Sequence, residues 1–80
     1  MAKALGRFIV IDPRVCHGQP TFRGTRILVA DVLDQVANGM AWEAISEVWR
    51  GAVGPEAIAE SVRLARGVLV NHPEELIAAR

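Results

Sequence analysis

Cys16 and His17 stand side by side in the segment Arg14 to Gln19, and a thiol beside an imidazole is the pair a nucleophilic or metal site would use. Neighbouring residues rarely aim at one ion or one substrate atom together, and the only other histidine is His72. No orienting acid, paired carboxylates or second ligand set can be assembled around them. The pair therefore reads as an incidental thiol and a loop imidazole. Walker, Rossmann and HExxH patterns are missing as well. The sequence predicts a non-enzymatic protein with no metal, no cofactor and no small-molecule substrate.

The other chemistry-bearing stretch runs from Gly18 to Val29, Gly-Gln-Pro-Thr-Phe-Arg-Gly-Thr-Arg-Ile-Leu-Val. Gly24 between Arg23 and Thr25 predicts a tight reversal, because glycine tolerates positive φ without a Cβ clash. That reversal folds Thr21-Phe22 back near Arg26-Ile27 as a minimal hairpin. Arg23 and Arg26 then project from one small rigid feature, a candidate anion-binding element. The plainer alternative is a structural turn with solvated arginines.

Charge is unevenly spread. Residues 1–26 carry Lys3, Arg7, Arg14, Arg23 and Arg26 against Asp12, a net of +4, while residues 27–80 carry four arginines against eight acids, a net of −4. A basic head on an acidic body suggests an anionic partner for the head. DNA, RNA and an acidic protein surface would all serve.

Eighty residues make one small domain with a marginal core, and with one cysteine there is no disulfide to support it. Since 51% of the residues are hydrophobic, self-association is the expected staple, and a homodimer is predicted. No run approaches the roughly 20 apolar residues of a membrane span. The first residues lack the apolar core of a signal peptide, so a cytoplasmic protein with no membrane partner is expected.

The elements that position the arginines follow in order. Phe8-Ile9-Val10-Ile11, three of them β-branched and closed by Asp12-Pro13, reads as a strand. Alternation is absent, so both faces want cover, and its free edge suits the same strand of a second subunit. A first helix over Val29 to Met40 presents Val29, Val32, Leu33, Val36, Ala37 and Met40 as one stripe and ends at Gly39. Together Gly18, Gly24 and Gly39 are the expected structural turn glycines.

A second helix covers Ala41 to Trp49 or Arg50, with Ile45, Val48 and Trp49 inward and Trp42 partly exposed or in an interface. Gly51 to Gly54 is a turn, and Pro55 opens a third helix with Ile58, Val62, Ala65 and Leu69 inward and Glu56, Glu60, Arg63 and Arg66 outward. A last short helix begins around Asn71 to Glu74 and runs through Ala79.

The fold expected is mainly α, one domain over 1–80. A short N-terminal strand and small hairpin (1–28) precede a trihelical, helix-turn-helix-like bundle (29–70) and a short C-terminal helix (71–80). In such a bundle the third helix would lie in the DNA major groove. Glu56 and Glu60 oppose base reading there, whereas Arg63 and Arg66, with Arg23 and Arg26, suit salt-sensitive phosphate contacts.

The run from Asp12-Pro13 through Gly18-Gln-Pro-Thr-Phe-Arg-Gly-Thr-Arg-Ile-Leu-Val29 resembles the signature of the domain-of-unknown-function 433 family of bacteria and archaea. Its members carry Gly-Lys-Pro-x-Ile-x-Gly-Thr-Arg-Ile-x-Val after an N-terminal strand. The likeness continues through Gly39, Glu43-Ala-Ile45 and Pro55-Glu-Ala-Ile58, from about Phe8 to about Leu69. Gln19 stands where members carry Lys, and Gly54 where they carry a Ser or Thr cap.

The resemblance implies a dimeric helix-turn-helix protein of antitoxin type, whose partners are a PIN-like ribonuclease toxin and operator DNA. An arginine on a rigid turn suits the carboxylate cluster of such a ribonuclease. Pairing of Arg23 or Arg26 with Asp31 or Asp34 is the competing structural role. Two further readings stand beside the antitoxin: a stand-alone DNA-binding transcriptional repressor, and a dimeric protein-interaction module without DNA binding.

Overall fold

The computed structural model describes residues 1–78; Ala79, the expected end of the last helix, and Arg80 lie outside the described residues. The apolar run near the N-terminus forms β2 (Ile9–Ile11), as its β-branched residues predict, with Phe8 just outside it. β2 is the middle strand of an antiparallel sheet, between β1 (Lys3–Ala4) and β3 (Thr21–Phe22). The register pairs Lys3 with Ile11 and Ala4 with Val10 on one side, and Ile9 with Phe22 and Val10 with Thr21 on the other.

This corrects the expectation of a free edge. Both edges of β2 are occupied within the subunit, and Ile9 and Val10 are buried there, so Phe8, Ile9, Val10 and Ile11 offer no strand to a second copy. β1 escapes sequence reading because two exposed residues carry no apolar period.

The minimal hairpin forms. Phe22 donates its N–H to the Ile27 carbonyl at 3.1 Å, Thr25 donates to Phe22 at 3.0 Å, and Thr21 bridges to Leu28. The reversal needs Gly24, whose φ is +77°. Gly18 and Gly39 also have positive φ, 80° and 82°.

Three helices follow, α1 (Val29–Ala37), α2 (Trp42–Val48) and α3 (Pro55–Asn71), each packed on the other two, with β2 resting on α3. Ile9, Phe22, Val29, Val32, Ile45, Val53, Ala57 and Ile58 are the shared core. Trp49 packs against it and donates its indole N–H to Gln35 at 2.8 Å, tying the end of α2 to α1. Trp42 packs there too. Val53 is fully buried although it lies in the Gly51–Gly54 turn, where the sequence shows only glycine punctuation.

Several inward assignments change. Ala37 is exposed beside the α1 cap, and Val48, at the last turn of α2, is 52% exposed. On α3 the buried face is Ala57, Ile58 and Ser61, with Leu64 half-buried, while Ala65 and Leu69 are exposed. The reason is length. α3 runs on through Gly67 for 17 residues, and its last turns overshoot the short α1 and α2 that cover its beginning.

His72 then breaks the helix, and α4 (Pro73–Ala78) follows directly, with Pro73 to Ile77 all exposed. Among the described residues no helix is long and apolar enough to cross a membrane.

Gly67 lies inside α3 with nothing within 4 Å of where a Cβ would sit. Gly67→Ala is expected to stabilise the fold by about 1 kcal/mol through the helix propensity difference. A thermal melt should show Tm rising by about 4–8 °C for a domain of this size.

Candidate functional site

The reversal at Arg23-Gly24 is held by its own side chains. Thr25 Oγ1 donates to the Phe22 carbonyl at 2.7 Å and accepts from the Ile27 N–H at 3.0 Å, so one hydroxyl closes the turn from both sides. The backbone N–H of Arg23 donates to Phe8 at 2.7 Å, extending the β3–β2 pairing into the turn.

The Arg23 guanidinium reaches across to the β1–β2 connection. Its Nε donates to the Arg7 carbonyl at 3.1 Å and its Nη2 to the Gly6 carbonyl at 3.3 Å. The same connection is gripped from α3. Glu60 Oε1 accepts the Arg7 N–H and Oε2 the Phe8 N–H, both at 2.8 Å. A Cβ on Gly6 would stand 2.6–2.9 Å from this carboxylate, so the bare backbone is what lets Glu60 approach. Arg7 itself turns back over the Phe8 ring, 4.9 Å from its centroid.

Glu60 is therefore not the solvated outer-face residue expected. Its carboxylate is a double hydrogen-bond acceptor for the head, charge-assisted and so stronger than a neutral pair. Helical spacing put it among outward residues, since only the folded-back N-terminus supplies its donors.

Arg26 is placed differently. It is exposed, its carbonyl takes the Cys16 thiol at 3.5 Å, and its side chain lines a concavity of about 440 Å³ with Val10, Asp12, Thr21, Arg23 and Thr25. Asp12 does not neutralise the arginines there, because Arg14 already holds it. The Arg14 backbone N–H at 2.9 Å and guanidinium at 3.3 and 3.4 Å keep its carboxyl below the usual carboxylate range. Among the described residues neither Arg23 nor Arg26 pairs with a carboxylate, so the expected alternative with Asp31 or Asp34 is not formed.

Arg63 and Arg66 are exposed on α3, outside this concavity. Cys16 and His17 lie in a 3-10 turn, both at positive φ. His72 meets Glu75 at 3.3 Å and Glu74 at 4.0 Å, all three exposed at the start of α4.

A family model described as "Protein of unknown function (DUF433)" matches residues 9–51, just over half of the chain. The chain belongs to the DUF433 family. No curated protein and no solved structure matches it. The DUF433 match takes in β2, the arginine turn, α1 and α2 and stops before α3. Arg23, Gly24 and Arg26 are thus inside the matched region, and Glu60, Arg63 and Arg66 are outside it.

Glu60→Ala leaves two backbone N–H groups without their acceptor and is expected to lower stability by about 1–3 kcal/mol, with Glu60→Gln losing less. Combined with Arg23→Ala the losses should not add, because both side chains hold one connection. Urea unfolding gives the energies, and faster amide exchange at Arg7 and Phe8 would locate the effect.

Proposed function

We propose that the chain is a non-enzymatic binding protein of antitoxin type that works in the cytoplasm. Arg26 enters the carboxylate cluster of a PIN-like ribonuclease and blocks it. The observation that carries this reading is the unequal use of the two arginines. Arg23 spends two of its donors on the β1–β2 connection, whereas Arg26 stands exposed on the same fixed turn with no carboxylate partner among the described residues. The turn fixes the backbone from which Arg26 projects, and the planar fork of its guanidinium suits two carboxylate oxygens at once. The +4 charge of residues 1–26 would steer the head towards such an acidic site.

A second reading is favoured by the position of Glu60. Its carboxylate is turned into the head, which leaves Arg63 and Arg66 on α3 with one acid fewer to repel phosphate. Operator DNA could then be held through these two arginines, with or without a toxin. On that reading Arg63→Ala and Arg66→Ala each reduce the salt slope of DNA affinity by about 1, measured by titration at several salt concentrations. No DNA binding near physiological salt would leave a protein-interaction module.

Pull-down from native lysate, with bound protein and bound DNA both identified, supplies the partner. Arg26→Ala is then expected to weaken ribonuclease binding roughly tenfold or more while leaving the thermal melt unchanged. Arg23→Ala, by contrast, should lower Tm as well. An Arg26→Ala chain that inhibits as well as the wild type overturns the plug.

A further inference from the structure

The two faces of the sheet have different surroundings. Ile9 and Phe22 belong to the core, so their neighbours Val10 and Thr21, which pair across the strands, turn to the opposite face. There they line the concavity of about 440 Å³, together with Asp12, Val15, Arg23 and Arg26. That volume lies within the about 300–1,000 Å³ of small-ligand pockets.

Thr21 is the residue there that the fold does not account for. It is 1% exposed, yet its hydroxyl makes no hydrogen bond among the described residues, where a buried hydroxyl ordinarily has a partner. No fully enclosed side-chain oxygen or nitrogen lacks a partner among those residues. The sliver of Thr21 that stays accessible therefore includes its oxygen, and it opens on the concavity. Thr25 and Ser61, by contrast, spend their hydroxyls on backbone carbonyls. A valine at position 21 would have the same shape and suit a strand at least as well.

The charge around this hydroxyl is positive. Asp12 is matched by Arg14, which donates to it from backbone and guanidinium. Arg23 meets only neutral carbonyls, and Arg26 has no carboxylate partner among the described residues. Two uncompensated guanidinium groups suit a dianion, and a phosphomonoester carries about −1.5 to −2 at pH 7. Its three terminal oxygens can take the Arg26 fork and the Thr21 hydroxyl together, whereas a carboxylate brings two oxygens and one charge. Val10 and Val15 offer apolar wall that inorganic phosphate alone would leave unused.

We infer that this concavity binds a small phosphomonoester. Arg26 and the Thr21 hydroxyl hold its phosphate in the field of Arg23, and its organic part lies against Val10 and Val15. Arg26 is also the residue proposed to enter the ribonuclease, so the bound ester competes with that partner. The site does not rest on the antitoxin reading. Thr21→Val removes a contact to the ester and leaves Arg26 in place, so the two can fail separately.

Phenyl phosphate is the probe, titrated into the full chain near neutral pH and followed by amide NMR shifts, with benzoate and inorganic phosphate alongside. Saturable binding is expected with a Kd below about 1 mM, the largest shifts falling between Thr21 and Arg26. Benzoate and inorganic phosphate should each bind roughly tenfold more weakly. Thr21→Val should weaken phenyl phosphate roughly tenfold while the thermal melt stays or moves up, because the hydroxyl bonds nothing in the free chain. Arg26→Gln, on the exposed turn, should weaken it about tenfold or more with the melt unchanged, and it decides if Thr21→Val fails to fold. Absence of saturable shifts up to about 10 mM overturns the inference. So does a folded Thr21→Val chain that binds as the wild type does, or inorganic phosphate that binds as tightly as the ester, an adventitious ion only. A phosphoserine peptide that binds more than about tenfold tighter than phenyl phosphate also overturns it, making the concavity a docking site for a modified protein.

Discussion

The connection between β1 and β2 is the point on which the arrangement hangs. Its peptide groups present N–H at Arg7 and Phe8 and C=O at Gly6 and Arg7. Glu60 takes the first pair and Arg23 the second. A carboxylate and a guanidinium thus bind the same short piece of backbone through its opposite poles, and neither needs the other as an ion-pair partner. Charged groups make the stronger hydrogen bonds, which suits a head with little core of its own. Through Glu60 the sheet is fastened to α3, and through Arg23 the hairpin is fastened to the sheet. Gly6 is the residue that permits the closeness, since any side chain there would meet the Glu60 carboxylate.

That fastening divides the work between two arginines which look equivalent in sequence. Arg23, though exposed, lays its guanidinium on the Gly6 and Arg7 carbonyls, while Arg26, three residues on, keeps its head in solvent above a concavity whose one acid is already held by Arg14. A basic surface that is locally rigid is suited to meet fixed anionic groups with small loss of conformational freedom. The region matched to the DUF433 family contains this turn and the two helices behind it. α3, which supplies Glu60, lies beyond the matched region.

The apolar bookkeeping is set by helix length. α1 and α2, of nine and seven residues, cover the first turns of α3 and no more, because α3 has 17. Ile58 and Ser61 are therefore buried while Leu69, on the continuing helix, meets water. A chain of this size has few apolar residues to spare, and a core built from short helices leaves those of the overshooting turns in water.

Much was legible in the linear chain. Val29 and Val32, Ile45, and Ile58 announce three helices by period, Gly24 and Gly39 mark reversals that only a residue without Cβ takes easily, and the β-branched run makes a strand. These are local effects, decided by backbone sterics and by the spacing of apolar side chains. What tertiary structure alone decided is everything that joins distant residues. β1 exists because Lys3 and Ala4 find the edge of β2, which withdraws Phe8 to Ile11 from the role of a free strand. Glu60 reads as a solvated helix residue until backbone donors more than 50 positions away are folded onto it. Leu69 reads as core until the helix is seen to outrun its neighbours. Spacing reports which face a residue shares, but the hydrogen-bond partner or apolar neighbour opposite that face comes from elsewhere in the chain.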